Sequence, residues 1–146
     1  MKGYGKLRTA ACAAGLFALN AFITLQLFHT DYTRQMGSIE AAYIGLARYI
    51  ARHMGELSWF PLWYGGIPYA DTYPPLLHMV CGLVVAVAGV SPGLAHHFVT
   101  ASVYSLGPVT LFWMVWRLGG NRACALAAGV GYSLISPACF QNRSAR

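Results

Sequence analysis

Charge is scarce in this chain, and acidic charge is scarcest of all. Only 10% of its 146 residues are charged and 57% are apolar, whereas about a quarter of an ordinary soluble domain is charged. The deficit excludes that class, and with a mean hydropathy of +0.49 it describes a polytopic membrane protein. The net charge of +6 suits the lipid bilayer as a partner, through its anionic headgroups. Nucleic acid is not expected as a partner, because the basic residues are scattered and trace no soluble basic face. Metal-ligand spacings are missing as well. None of the four cysteines, Cys12, Cys81, Cys124 and Cys139, forms a CxxC pair, and each sits in an apolar segment as a small packing residue. His29, His53 and His78 show neither HExxH nor HxxxH spacing, so no metal ligands are assigned and a divalent cofactor has no support from spacing. No internal repeat or low-complexity linker interrupts the chain.

What remains is a succession of apolar runs. Lys2, Lys6 and Arg8 precede the first, over about residues 9–28. A helix rises about 1.5 Å per residue and a bilayer core is about 30 Å thick, so this run is long enough to cross. A cleaved signal peptide is the competing reading, but LQLFHT follows without a small-x-small site, which favours a retained helix with a cytoplasmic N-terminus. Further spans are expected at 73–90, opening with Tyr73-Pro74-Pro75, at 96–116, opening with His96-His97, and at 123–140. Ser91-Pro92-Gly93 reads as a tight turn between two of them, and Pro108 and Pro137 as sources of kinks. The expected class is therefore all-α: one membrane domain over 1–146, about four transmembrane helices, and an outer loop at 29–72. Strict alternation places the 91–95 turn inside and 117–122 outside, which sets Arg117 and Arg122 against the positive-inside preference.

The outer loop holds every carboxylate of the chain: Asp31, Glu40, Glu56 and Asp71. Acid–base chemistry, if the chain has any, belongs there. Ile39, Tyr43, Leu46, Ile50 and Met54 recur at three- and four-residue steps, the period of a helix with one apolar stripe. Ser38 suits its N-cap and Gly55 its stop, and such a helix is expected to lie along the bilayer interface. The remainder, WFPLWYGGIPYADTYPP, is too rich in Gly, Pro and aromatics for a long helix; it reads as an ordered loop held at the membrane by Trp59, Phe60 and Trp63. Glu40 is the first candidate for chemistry, since a carboxylate beside a span is either functional or water-exposed. Its place in a first helical turn also suits the helix dipole alone. Asp71 either closes the turn before the second span or orients a substrate hydroxyl. Asp31 marks the water boundary, and Glu56 faces solvent. Arg48 and Arg52, four residues apart, suit a phosphate, either that of a substrate or that of lipid headgroups. The adjacent His96 and His97 read as an interfacial turn feature.

These residues resemble the N-terminal part of the GT-C superfamily of integral membrane glycosyltransferases, nearest to the protein O-mannosyltransferases and aminoarabinose transferases. The resemblance runs through IEAAYIGLARYIARHMGELSWFPLWYGGIPYADTYPPLL (39–77), GVSPGLAHHF (89–98), WRLGGNRACALAAGV (116–130) and Ser136-Pro137. It implies a luminal or periplasmic site that transfers a sugar from a polyprenyl-phosphate carrier to an acceptor, in a chain of the cell (inner) membrane. It also implies Glu40 as general base or metal ligand for the acceptor; Asp71 is the second catalytic candidate, and Arg48, Arg52 and Tyr43 are the candidates for binding the substrate. Ile39 stands where the family carries the first residue of an acidic pair. Family members are longer, so the chain is expected to correspond to an N-terminal portion that does not transfer sugar alone. A non-enzymatic membrane module, a transporter portion or small assembly subunit, is the alternative, and it predicts Gly/Pro-broken polar spans in corresponding halves.

Overall fold

The apolar run behind Lys2, Lys6 and Arg8 forms the first helix, α1 (Lys2–Ile23), in the computed structural model of the chain, which describes residues 2–31, 38–69, 75–119 and 121–135. Thr24 ends it by donating both its backbone N–H and its hydroxyl to the Asn20 carbonyl. A 3-10 turn, Leu25–His29, follows. The predicted amphipathic helix is present as α2 (Ser38–Arg52). It stops before Gly55 because His53 folds back: its Nδ1 donates to the Tyr49 carbonyl at 2.9 Å, and its ring stacks on Tyr49.

Beyond it the aromatic segment is a short antiparallel hairpin rather than a loop without strands. β1 (Trp59–Phe60) pairs with β2 (Ile67–Pro68), Trp59 opposite Pro68 and Phe60 opposite Ile67. Tyr64, Gly65 and Gly66 all take positive φ to reverse the chain. Gly66 also lies against the Trp59 indole where a Cβ has no room, so glycine is required there on two counts.

Three more helices follow, α3 (Leu76–Ala88), α4 (Pro92–Arg117) and α5 (Arg122–Ile135). The predicted turn at 91–93 is instead the start of α4. Ser91 caps it, its Oγ accepting from the Leu94 N–H at 3.1 Å, and Pro92 fills the first helical position, where no N–H is needed. His96 and His97 therefore lie inside the helix, not at its mouth. Asn121 caps α5 in the same way, its Oδ1 accepting from the Cys124 N–H at 2.8 Å. Of the described helices, α1 and α4 are long and apolar enough to cross a membrane. The 13 residues of α3 rise about 20 Å and the 14 of α5 about 21 Å. The predicted fourth span continues past Ile135 into residues outside the described ones.

The chain divides into two compact units, Met1–Gln26 with Ala101–Arg146, and Leu27–Thr100. In the first unit Leu16, Phe112 and Ala125 form the core. Gly129 brings α5 against the Leu16 side chain and the Pro108 carbonyl, the close approach that small residues allow between apolar helices. Asn20 Nδ2 donates to Ser133 Oγ at 2.7 Å across the same face. These contacts order the helices. Residues 16 and 20 of α1 meet 129 and 133 of α5, so those two run parallel. Lys6, Thr9 and Ala10 meet Trp113, Trp116 and Arg117, so α4 runs antiparallel to α1.

In the second unit Leu46 and Ile50 of α2 are buried against Phe60 and Tyr69, and Ala47 packs with Cys81 and Val99. The stripe predicted to face lipid is thus covered by protein at its centre. Only its ends, Ile39 and Met54, are exposed. Periodicity shows that a helix has an apolar face; it does not say what covers it.

Candidate active site

Among the described residues, the second unit gathers the buried histidines around the first turn of α2 and the opening turns of α4. The first turn of α2 presents Glu40, and the second turn of α4 presents His97. Glu40 Oε1 and His97 Nε2 are 2.5 Å apart. On its other side the His97 ring places Nδ1 2.6 Å from the Thr30 carbonyl. A carbonyl oxygen only accepts, so Nδ1 carries a hydrogen and the ring is held in that form. One proton then lies between Nε2 and the Glu40 carboxylate. The His97 side chain is 6% exposed and that of Glu40 20%, so Glu40 is the member that meets whatever enters from outside.

Asp31 secures this geometry. It accepts from the Ser91 hydroxyl, the group that caps α4, and its own carbonyl sits over Gly93, where a Cβ would collide with it. The Thr30–Asp31 segment is thus fastened to α4 at Ser91, Gly93 and His97. That role goes beyond the water boundary expected of Asp31.

Behind the pair lies a buried set of rings. His96 lies 5.9 Å from His97 and 5.9 Å from Tyr43, and Tyr43 is 4.7 Å from His78, centroid to centroid. Cys81 Sγ is 4.0 Å from His96 Nδ1. All three histidines and Cys81 are buried. Even so, among the described residues no three His, Cys, Asp or Glu side chains are disposed to hold a metal ion. Nearby, burial pushes the Tyr69 phenol up to about 12, with Cys81 adding to the shift. Its hydroxyl has no hydrogen-bond partner among the described residues.

No protein-family model, curated protein or solved structure matches this chain. Of the sequence-predicted residues, Glu40 and Tyr43 enter the cluster. Arg48 and Arg52 lie further along α2, both exposed, with no hydrogen bond or ion pair to described residues. Asp71 falls outside the described residues. His97, His96 and His78 were not among the expected site residues. Their signal was present: ionisable rings set in apolar runs are costly to bury unless partnered, and an adjacent pair of them in a helix opening invites a search for the partner.

Chemically, a carboxylate backed by an oriented imidazole is a proton acceptor for a hydroxyl or a water. The imidazole stabilises the carboxylate's charge and fixes its direction, as a third group does for the base in catalytic triads. The ring's hydrogen on Nδ1 is committed to Thr30, so proton exchange in the pair runs along the Nε2–Oε1 line.

Proposed function

We propose that the chain is an integral protein of the inner membrane with a cytoplasmic N-terminus. In this reading it contributes the proton-accepting site of a GT-C-like transfer of a sugar from a polyprenyl-phosphate carrier. The observation that carries the reading is the Glu40–His97 pair, held by Thr30 at the opening of the longer of the two apolar helices. Glu40 takes the proton of the acceptor hydroxyl as the sugar leaves the carrier phosphate. The exposed Arg48 and Arg52 supply guanidinium groups of the kind that hold such a phosphate.

The antiparallel course of α1 and α4 supports a topology different from simple alternation. If α1 runs outward and α4 inward, the chain between them begins and ends on the outer side. The rise of α3, about 20 Å, is short of the about 30 Å of hydrocarbon. Arg117 and Arg122 then fall on the cytoplasmic side with Lys2, Lys6 and Arg8, as the positive-inside preference requires. The conflict created by four alternating spans disappears, and the crossings among the described helices become α1 and α4.

The reading is tested by photocrosslinking. In membranes from cells carrying the protein at its own locus, a diazirine-bearing polyprenyl-phosphate sugar is expected to label the second unit, with label lost in Arg48→Gln/Arg52→Gln. Labelling that is equal for a straight-chain alkyl phosphate, or confined to the first unit, removes the assignment.

A further inference from the structure

The first unit has no part in the chemistry above, yet it carries a groove of its own. Lys6, Thr9 and Ala10 of α1 and Trp113, Trp116 and Arg117 of α4 line a half-open groove of about 630 Å³. We propose that this groove binds an anionic membrane lipid, with the headgroup phosphate between Lys6 and Arg117 and the upper acyl chain along the tryptophans.

Charge argues for it first. Every carboxylate of the chain lies between Asp31 and Asp71, so the first unit has no acidic side chain at all. Lys6 and Arg117 line one groove from two helices, and neither has a hydrogen bond or ion pair among the described residues. Both are exposed, and an anion taken up between them would relieve their mutual repulsion. A phosphate fits both, with the guanidinium fork on two of its oxygens and the ammonium as a point charge.

The walls argue for a lipid over a free ion. Trp113 and Trp116 lie 5.1 Å apart, centroid to centroid, and with Ala10 they make the remaining wall apolar. Indoles belong at the boundary between headgroups and acyl chains. The groove sits where two helices apolar enough to cross a membrane meet at their charged ends. A soluble phosphate makes no use of that wall, whereas a lipid uses both parts. The topology proposed above places this end at the cytoplasmic leaflet, whose lipids are the anionic ones.

The inference rests on α1 and α4 lying in a bilayer, and the experiment reads that separately. In a Trp59→Phe/Trp63→Phe background only Trp113 and Trp116 of the four tryptophans remain. The protein is reconstituted in vesicles of phosphatidylcholine with a minority of phosphatidylglycerol, one or the other brominated in its acyl chains. Per brominated molecule, phosphatidylglycerol is expected to quench more strongly than phosphatidylcholine. That excess is expected to vanish in Lys6→Gln/Arg117→Gln and to survive in the charge-keeping Arg117→Lys. Added inorganic phosphate is expected to leave it unchanged. Equal quenching by the two lipids overturns the lipid site while leaving the membrane reading intact. Loss of the excess on adding inorganic phosphate overturns it in favour of a free-anion site. An absence of quenching by either lipid overturns the site and the membrane reading together.

Discussion

At the scale of single residues, the chain's scarcity of charge makes its few ionisable groups informative. Glu40 was legible as a candidate because only four carboxylates exist and one begins a helix beside an apolar run. Its partner was not legible: His97 is 57 positions away, and no local pattern joins them. Tyr69 offers a direct check on how dry the second unit is. Its phenol is raised from the ordinary 10.0 to about 12, first by burial and then by Cys81. A pKa raised on folding means that the neutral form is favoured in the fold. The contribution is complete below about pH 10 and is lost as pH climbs toward about 12. Tyr69→Phe, which removes an unpartnered buried hydroxyl, is expected to leave stability at neutral pH unchanged or about 1 kcal/mol higher. It is also expected to flatten the alkaline fall in Tm above about pH 10. A variant markedly less stable than the parent at neutral pH shows that the hydroxyl has a partner after all.

Among the elements, α2 was readable from its apolar period and its end was misplaced only by the His53 fold-back. The hairpin was not readable. Its strands are two residues each, too short for alternation to register, and they exist because Phe60 and Tyr69 pack on Leu46 and Ile50. The opening of α4 reads as a turn in the sequence because Ser-Pro-Gly suits both a turn and a capped helix start. The joint between α2 and α3 turns on one glycine. Gly82 faces Ile50, and an added Cβ would lie 2.9 Å from Ile50 Cβ and 3.3 Å from the Ala51 nitrogen. Gly82→Val is expected to part the two helices and cost about 1–3 kcal/mol, with Gly82→Ala milder. Thermal unfolding followed by circular dichroism in detergent measures it, and wild-type stability in the valine variant would show that α2 and α3 are not packed through this residue.

For the whole molecule, composition gave the helical class, and two helices are long and apolar enough for a membrane. Hydropathy alone reads 73–90 as one span, whereas the described helix there has 13 residues, shorter than the two that are long enough to cross. In a cysteine-free background, cysteines placed at Ser58 and at Ser91 are both expected to react with an impermeant maleimide added to the outer side. Alternating spans predict reaction at Ser58 only, so protection of Ser91 would restore them. The central claim, that Glu40 is the working carboxylate, is tested most directly by sugar transfer in membranes of cells carrying the protein at its own locus. Labelled sugar on a polyprenyl-phosphate donor is followed for Asp31→Asn, Glu40→Gln, Glu56→Gln and Asp71→Asn at matched expression. The account predicts a fall of about 10²–10⁴-fold for Glu40→Gln, a smaller one for Asp31→Asn through the loosened Thr30 segment, and no change for Glu56→Gln. A near-parental rate in Glu40→Gln, with the loss appearing in Asp71→Asn instead, would contradict it.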